Sequence, residues 1–110
     1  MGKFVIHKRF NGEYQFNLKA SNGQVILSSE GYTNRDNCLN GIESVRRNSV
    51  NDERFDRKTS TNGKYYFNLK ASNGQIIGTS EIYESSSARE NGIESVKVNA
   101  VTAIIDDFTS

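Results

Sequence analysis

Few side chains in this chain are equipped for chemistry, and their spacing limits what that chemistry could be. His7 is the only histidine and Cys38 the only cysteine among 110 residues. A multi-thiolate zinc shell and an intramolecular disulfide are therefore both unavailable. Glu30 and Glu81 each stand two residues before a tyrosine, Tyr32 and Tyr83, and Glu43 and Glu94 sit in a repeated Asn-Gly-Ile-Glu-Ser-Val motif. Two carboxylates that converge with pKa values pushed apart can do acid–base work. The plainer reading makes these four helix charges and partners for tyrosine hydroxyls. HExxH, a Walker-type glycine loop, GxSxG and GxGxxG do not occur, and the glycines instead follow asparagine as in hairpin turns. No catalytic residue, metal ligand or cofactor is assigned, and the chain is read as no enzyme.

The remaining candidates are polar residues placed to bind. In Tyr14-Gln15-Phe16-Asn17-Leu18-Lys19-Ala20 apolar and polar residues alternate, so a strand here turns Tyr14, Phe16, Leu18 and Ala20 inward. Gln15, Asn17 and Lys19 then face outward, as do Tyr66, Asn68 and Lys70 fifty-one residues later. This stripe of donors and acceptors with one exposed aromatic would suit a sugar, a peptide or single-stranded nucleic acid. A second candidate surface is basic: Lys8, Arg9, Arg46, Arg47, Arg54, Arg57 and Lys58 would bind RNA or DNA weakly if they gathered on one face.

Both stripes belong to a duplication. Residues 11–50 and 62–101 align without a gap at an offset of 51, with 24 of 40 pairs identical. Each unit reads strand, strand, strand, helix. Lys3 to Phe10 is β-rich and leads into Asn11-Gly12, and Asn22-Gly23 supplies a second hairpin turn, both expected as type I′. Val25-Ile26-Leu27 is an apolar run expected where both faces of a strand are covered. Thr33 is the expected first-helix N-cap, and Ser85 to Ser87 offer caps for the second. Cys38, Leu39, Ile42 and Val45 form an apolar helical stripe. Gly41 and Gly92 inside the helices point to a close helix–strand contact, since glycine there costs about 1 kcal/mol against alanine. Ala103 to Phe108 stands after the second helix as a third copy of the first strand.

Composition narrows the function classes. Fourteen basic and thirteen acidic residues leave a net charge of +1, without the basic excess of a dedicated nucleic-acid binder. Aromatic residues at 10% supply a core, and no apolar run is long enough to span a membrane. Met1-Gly2-Lys3-Phe4 opens into a strand pattern with no signal-peptide core, and the expected location is the cytoplasm.

The pattern Gly-x-Tyr-x-Phe-x-Leu-Lys-Ala-x-Asn-Gly-Gln, followed by Ser-Glu-x-Tyr and Asn-Gly-Ile-Glu-Ser-Val, resembles the YegP-like family of bacterial proteins. The resemblance runs from Lys3 to Asp107 and both copies carry the motif. It implies a tandem βββα fold, with single-repeat members expected to build the same object as homodimers. It implies no catalytic residue and no ligand. The expected architecture is α+β: an antiparallel sheet with two helices on one face and pseudo-twofold symmetry. The expected organisation is one domain over 1–110, with repeats at 3–52 and 53–102 and a C-terminal strand and tail at 103–110. The expected function is a monomeric binding or interaction module of unknown partner, acting through the polar stripe or through the C-terminal edge strand. Weak nucleic-acid binding and a small enzyme with its site on the pseudo-twofold axis are the alternatives.

Overall fold

A computed structural model describes residues 2–109. Met1 and Ser110, the ends of the lead-in and of the tail, lie outside the described residues. The order is β1 (Lys3–Lys8), β2 (Tyr14–Lys19), β3 (Val25–Ser28), α1 (Arg35–Asn48), β4 (Phe55–Thr59), β5 (Tyr65–Lys70), β6 (Ile76–Thr79), α2 (Ser86–Ala100) and β7 (Ile104–Asp107). A 3-10 turn, Asp52–Arg54, leads into β4.

All seven strands join one sheet in the order β4-β5-β6-β3-β2-β1-β7. The two units meet at β3 and β6, where Ser28 pairs with Thr79 in antiparallel sense across the pseudo-twofold axis. The sheet is mixed rather than wholly antiparallel, because β7 pairs parallel with β1. The duplication explains the direction. β4 leaves α1 and takes the place beside β5 that β1 holds beside β2. β7 leaves α2 in the same way but finds that place filled by β1, so it lies outside β1 with β1's own direction.

The hairpin turns differ from type I′. Gly12 and Gly23 have φ of 85° and 86°, and among the described residues no other residue type has positive φ. Gly12 N–H donates to Arg9 O and Arg9 N–H donates to Glu13 O, so a type I turn is closed by a glycine bulge. Asn11 stays at negative φ because its Oδ1 accepts the Glu13 N–H at 3.0 Å, and Asn22 does the same for Gln24. The apolar run in β3 also has another cause. The register shifts between Leu18 and Lys19, which pair with Leu27 and Val25 and leave Ile26 as the extra residue of a bulge. The bulge turns both Ile26 and Leu27 into the core while Val25 remains half-exposed.

Helix α1 is capped by Asn34, whose side chain accepts the Asn37 N–H at 2.8 Å, one residue beyond the expected Thr33. Ser85 caps α2 as expected. The helices bury Cys38, Ile42 and Val45, and Ile93, Val96 and Ala100, against one sheet face in a single apolar core. A row of cross-strand neighbours runs beneath them, Phe55, Leu69 and Gly78 in one unit, then Leu27, Leu18 and Phe4 in the other, and ends at the exposed Ile105 of β7. The aromatic rings repeat as well. Phe4 meets Phe16 edge-on at 5.7 Å and Phe16 stacks on Tyr32 at 6.2 Å; Phe55, Phe67 and Tyr83 do the same at 5.7 and 6.4 Å.

The helix glycines serve these tyrosines. A Cβ at Gly41 would lie 2.3 Å from the Tyr32 hydroxyl, and one at Gly92 would lie 2.3 Å from that of Tyr83. The close contact anticipated from sequence is thus made by a tyrosine side chain leaving the strand-to-helix junction.

Candidate binding face

With the helices on one side, the other face of the sheet has no covering layer among the described residues, and the polar stripes lie on it. One row crosses all seven strands as successive register partners: Asp56, Asn68, Thr79, Ser28, Asn17, Val5 and Asp106. Six of the seven are polar or charged, the inverse of the apolar row on the helix side. Period-two alternation puts Gln15 and Lys19, and Tyr66 and Lys70, on the same face as Asn17 and Asn68.

Within this face the six residues divide into two groups. Gln15 is engaged by its own fold: its amide donates to Ser29 O at 2.9 Å, and its Oε1 lies 3.2 Å from His7 Nε2 and accepts from Arg9. Asn68 is buried and its Oδ1 accepts the Thr79 hydroxyl at 3.0 Å. Lys70 pairs with Asp56 at 3.0 Å, and Lys58 joins the same carboxylate at 3.4 Å. The Lys70 ammonium, then Lys58, holds the Asp56 carboxyl below the ordinary aspartate range. Asn17, Lys19 and Tyr66 make no side-chain hydrogen bond or ion pair among the described residues. Equivalent positions therefore have different neighbours. Lys70 pairs diagonally with Asp56, whereas the residue diagonal to Lys19 is Val5, which holds the matching position in the other unit.

A concavity also opens on this face. A cavity of about 360 Å³ opens between the β2–β3 turn and β7, lined by Lys3, Val5, Lys19, Asn22, Asp106 and Phe108 among others. Sequence reasoning named Lys19 in the polar stripe and Asp106 and Phe108 only as part of the C-terminal edge strand, and did not bring them together, since the cavity depends on where β7 docks.

The other chemical candidates are built into the fold. The Ser29 hydroxyl accepts the Phe16 N–H at 2.9 Å and donates to Glu30 O at 2.8 Å, and Ser80 repeats both bonds at 2.9 and 2.7 Å. The repeated Ser-Glu-x-Tyr motif thus closes a strand end with its serine, while Glu30 and Glu81 are exposed. Burial raises the Tyr32 phenol pKa, with smaller pushes from Cys38 and Glu30; burial and Glu81 raise that of Tyr83. Burial also pushes the Cys38 thiol up to about 11, so it stays protonated and packs as a small apolar group. Glu43 and Glu94 are exposed and lie 3.7 and 3.4 Å from Arg46 and Lys97.

The basic residues are largely committed within the molecule. Arg9 pairs with Glu13 at 3.4 Å, Arg57 with Glu90 at 2.8 Å and Asp52 at 3.2 Å, and Arg54 donates to Asn48 at 3.1 Å. Lys8 lies 5.1 Å from the Tyr14 ring centre. Arg46 and Lys97, in the last turns of α1 and α2, lie over the rings of Phe4 and Phe55 at 5.5 and 5.7 Å, and Arg46 donates to Ala103 O at 2.7 Å, fastening the start of β7. Arg89 donates to Lys58 O at 3.0 Å over Tyr65, while its Nε, 3.5 Å from Glu90, is close enough for an ion pair but outside hydrogen-bond geometry. No helix of the described residues is long and apolar enough to cross a membrane.

A duplicated βββα unit closed into one mixed sheet, with one face under two helices and the other open, defines the class: a two-layer α+β tandem-repeat protein. The chain belongs to the family of the DUF1508 domain of unknown function, whose model matches it twice, over residues 11–56 and 60–107. Each match starts just before the second strand of a unit and runs into the strand after its helix. Among its relatives, a UPF0339 protein from the ptx operon 5′ region of Stutzerimonas stutzeri is 52% identical over 102 residues, covering 93% of this chain and 92% of its own. The UPF0339 protein YegP of Escherichia coli K12 is 48% identical over 108 residues, 98% of each chain. Two solution NMR structures share the fold. That of Escherichia coli YegP, described as of unknown function, has a TM-score of 0.93 at 48% identity and covers 97% of this chain and 92% of its own. That of a Shewanella oneidensis UPF0339 protein has a TM-score of 0.91 at 50% identity, covering 96% and 90%. The YegP-like resemblance and the tandem α+β fold that it implies both hold.

Proposed function

We propose that this protein is a monomeric, non-enzymatic binding module of the cytoplasm whose contact surface is the open sheet face. The observation that carries this reading is the polar row across all seven strands, with Asn17, Lys19 and Tyr66 unengaged beside it among the described residues. Side chains without internal partners exchange water for a ligand without breaking a protein contact, so they are the ones to give affinity. Gln15, Asn68 and Lys70 frame the surface, each fixed by an internal bond.

The test compares partner recovery from a bacterial lysate by the parent chain and by Asn17→Ala/Lys19→Ala/Tyr66→Ala. The three side chains are half-buried and take part in no cap, ion pair or side-chain hydrogen bond among the described residues, so each substitution should change stability far less than a core truncation, by about 0.5 kcal/mol. Thermal unfolding should therefore be nearly unchanged while partners are lost. Arg47→Ala on the exposed side of α1 is the control and should keep them. A triple variant that recovers every partner of the parent removes the open face from consideration.

A further inference from the structure

We propose that the cavity between the β2–β3 turn and β7 binds a small aromatic monoanion, with its carboxylate on Lys19 and Lys3 and its ring against Val5 and Phe108. The cavity lies on the open face, so the inference rests on that reading and deepens it. Its volume of about 360 Å³ falls at the lower end of the range of small-molecule sites.

Charge is the first reason. Lys3 and Lys19 are direct cross-strand partners, an arrangement that repels unless an anion stands between or beside them. In the second unit the matching lysine, Lys70, has Asp56 at 3.0 Å. In the first unit the position of Asp56 is taken by Val5, and Lys19 has no counter-ion among the described residues. Of the described residues lining the cavity the one acidic group is Asp106, 3.9 Å from Lys3. Two ammonium groups against one carboxylate leave a single positive charge, which a monoanion neutralises and a dianion overshoots.

Shape is the second reason. The Asp-to-Val difference that frees Lys19 also provides an apolar floor, and Val5 is only 7% exposed. Phe108, 69% exposed, stands at the wall as a flat apolar surface in water. The second unit has no counterpart to this wall among the described residues, because β7 docks only beside β1. The site is thus single, although the fold is twofold.

The probe is indole-3-acetate, titrated into the full chain and followed by backbone amide shifts. Saturable shifts should be confined to Lys3, Val5, Lys19 to Gly23, Asp106 and Phe108. Neutral indole-3-ethanol and ring-less acetate should each bind at least about tenfold more weakly, the scale of one charge-assisted hydrogen bond or one buried ring. Lys19→Ala should weaken binding by about tenfold or more and Phe108→Ala should also weaken it, while Lys64→Ala, a lysine paired with Glu84 away from the cavity, should leave it unchanged. The proposal is overturned if indole-3-ethanol matches the anion, if Lys19→Ala binds like the parent, or if shifts fall elsewhere or do not saturate. A chain that loses partners in the triple variant yet fails this titration keeps the open face as its contact and loses the aromatic-anion site.

Discussion

Leu27 occupies the space that a side chain at Gly78 would need: a Cβ there would lie 2.7 Å from both Cγ and Cδ2 of Leu27. The two are equivalent positions of the duplication, and they meet where β3 and β6 join. Two leucines would collide at this junction and two glycines would leave a hole, so a single chain can fill it only by breaking its own symmetry. Leu27 is fully buried and has nowhere to retreat.

Gly78→Leu should therefore destabilise the protein by about 1–3 kcal/mol through overpacking. Leu27→Gly should cost at least about 2–5 kcal/mol through the cavity it leaves. The swap Leu27→Gly/Gly78→Leu should recover more than about 1 kcal/mol of the summed loss, read as the coupling term of a double-mutant cycle in urea unfolding. Strict additivity would show that the two residues do not share this space.

Gly41→Ala should destabilise even though alanine favours an exposed helix by about 1 kcal/mol. The added methyl meets the Tyr32 hydroxyl at 2.3 Å and Phe16 Cε2 at 3.1 Å. Tyr32→Phe in the same chain should restore part of the loss, because it removes the nearest atom. A Gly41→Ala variant with a raised melting temperature would contradict the contact.

Residues 1–52 expressed alone should not give a cooperative, monomeric unfolding transition. The fragment loses β6 from the edge of β3, and Leu27 and Phe16 lose the core that the second unit completes. Backbone ordering costs on the order of 1–2 kcal/mol per residue, which half a core at this size does not offset. Self-association is the expected alternative, visible by sedimentation.

Stability should fall in acid below about pH 4, where ordinary carboxyls of the unfolded chain take up protons. Hydrogen bonds from Lys97 and Arg57 hold the Asp52 pKa down, and hydrogen bonds from Arg57 do the same for Glu90. The Thr109 hydroxyl and then Arg35 depress Asp107. A depressed folded pKa means that the unfolded chain binds more protons, so this stability is full above the unfolded value and disappears as pH drops through the folded one. Arg57→Gln should move the acid-unfolding midpoint upward and leave the slope between pH 6 and 8 unaltered. An unchanged acid midpoint would remove the Arg57 cluster from the account.

The chain should be a monomer at micromolar concentration by light scattering. The surface that a single-repeat relative would present to its partner is consumed at the β3–β6 junction. The free edge at β4 carries Arg57 and Lys58 with their carboxylate partners, the kind of charged edge that resists strand addition. A stable dimer would mean that this edge or β7 pairs after all.

The elements of each unit are legible in the sequence because their causes are local. Alternation in Tyr14 to Ala20 depends only on the two-residue period of a strand, the Asn-Gly turns on glycine's access to positive φ, and the helix stripe on 3.6-residue spacing. The offset of 51 also marks the third strand copy, since repetition along a chain needs no spatial information to be seen. Features that join distant residues cannot be read in this way. The parallel docking of β7 depends on β1 already filling its place, and the match of Leu27 to Gly78 depends on which strands meet at the axis. Lys19 and Lys70 look identical along the chain. Only the cross-strand register places Asp56 near one and Val5 near the other, because a lysine's electrostatic surroundings are set by neighbours in space.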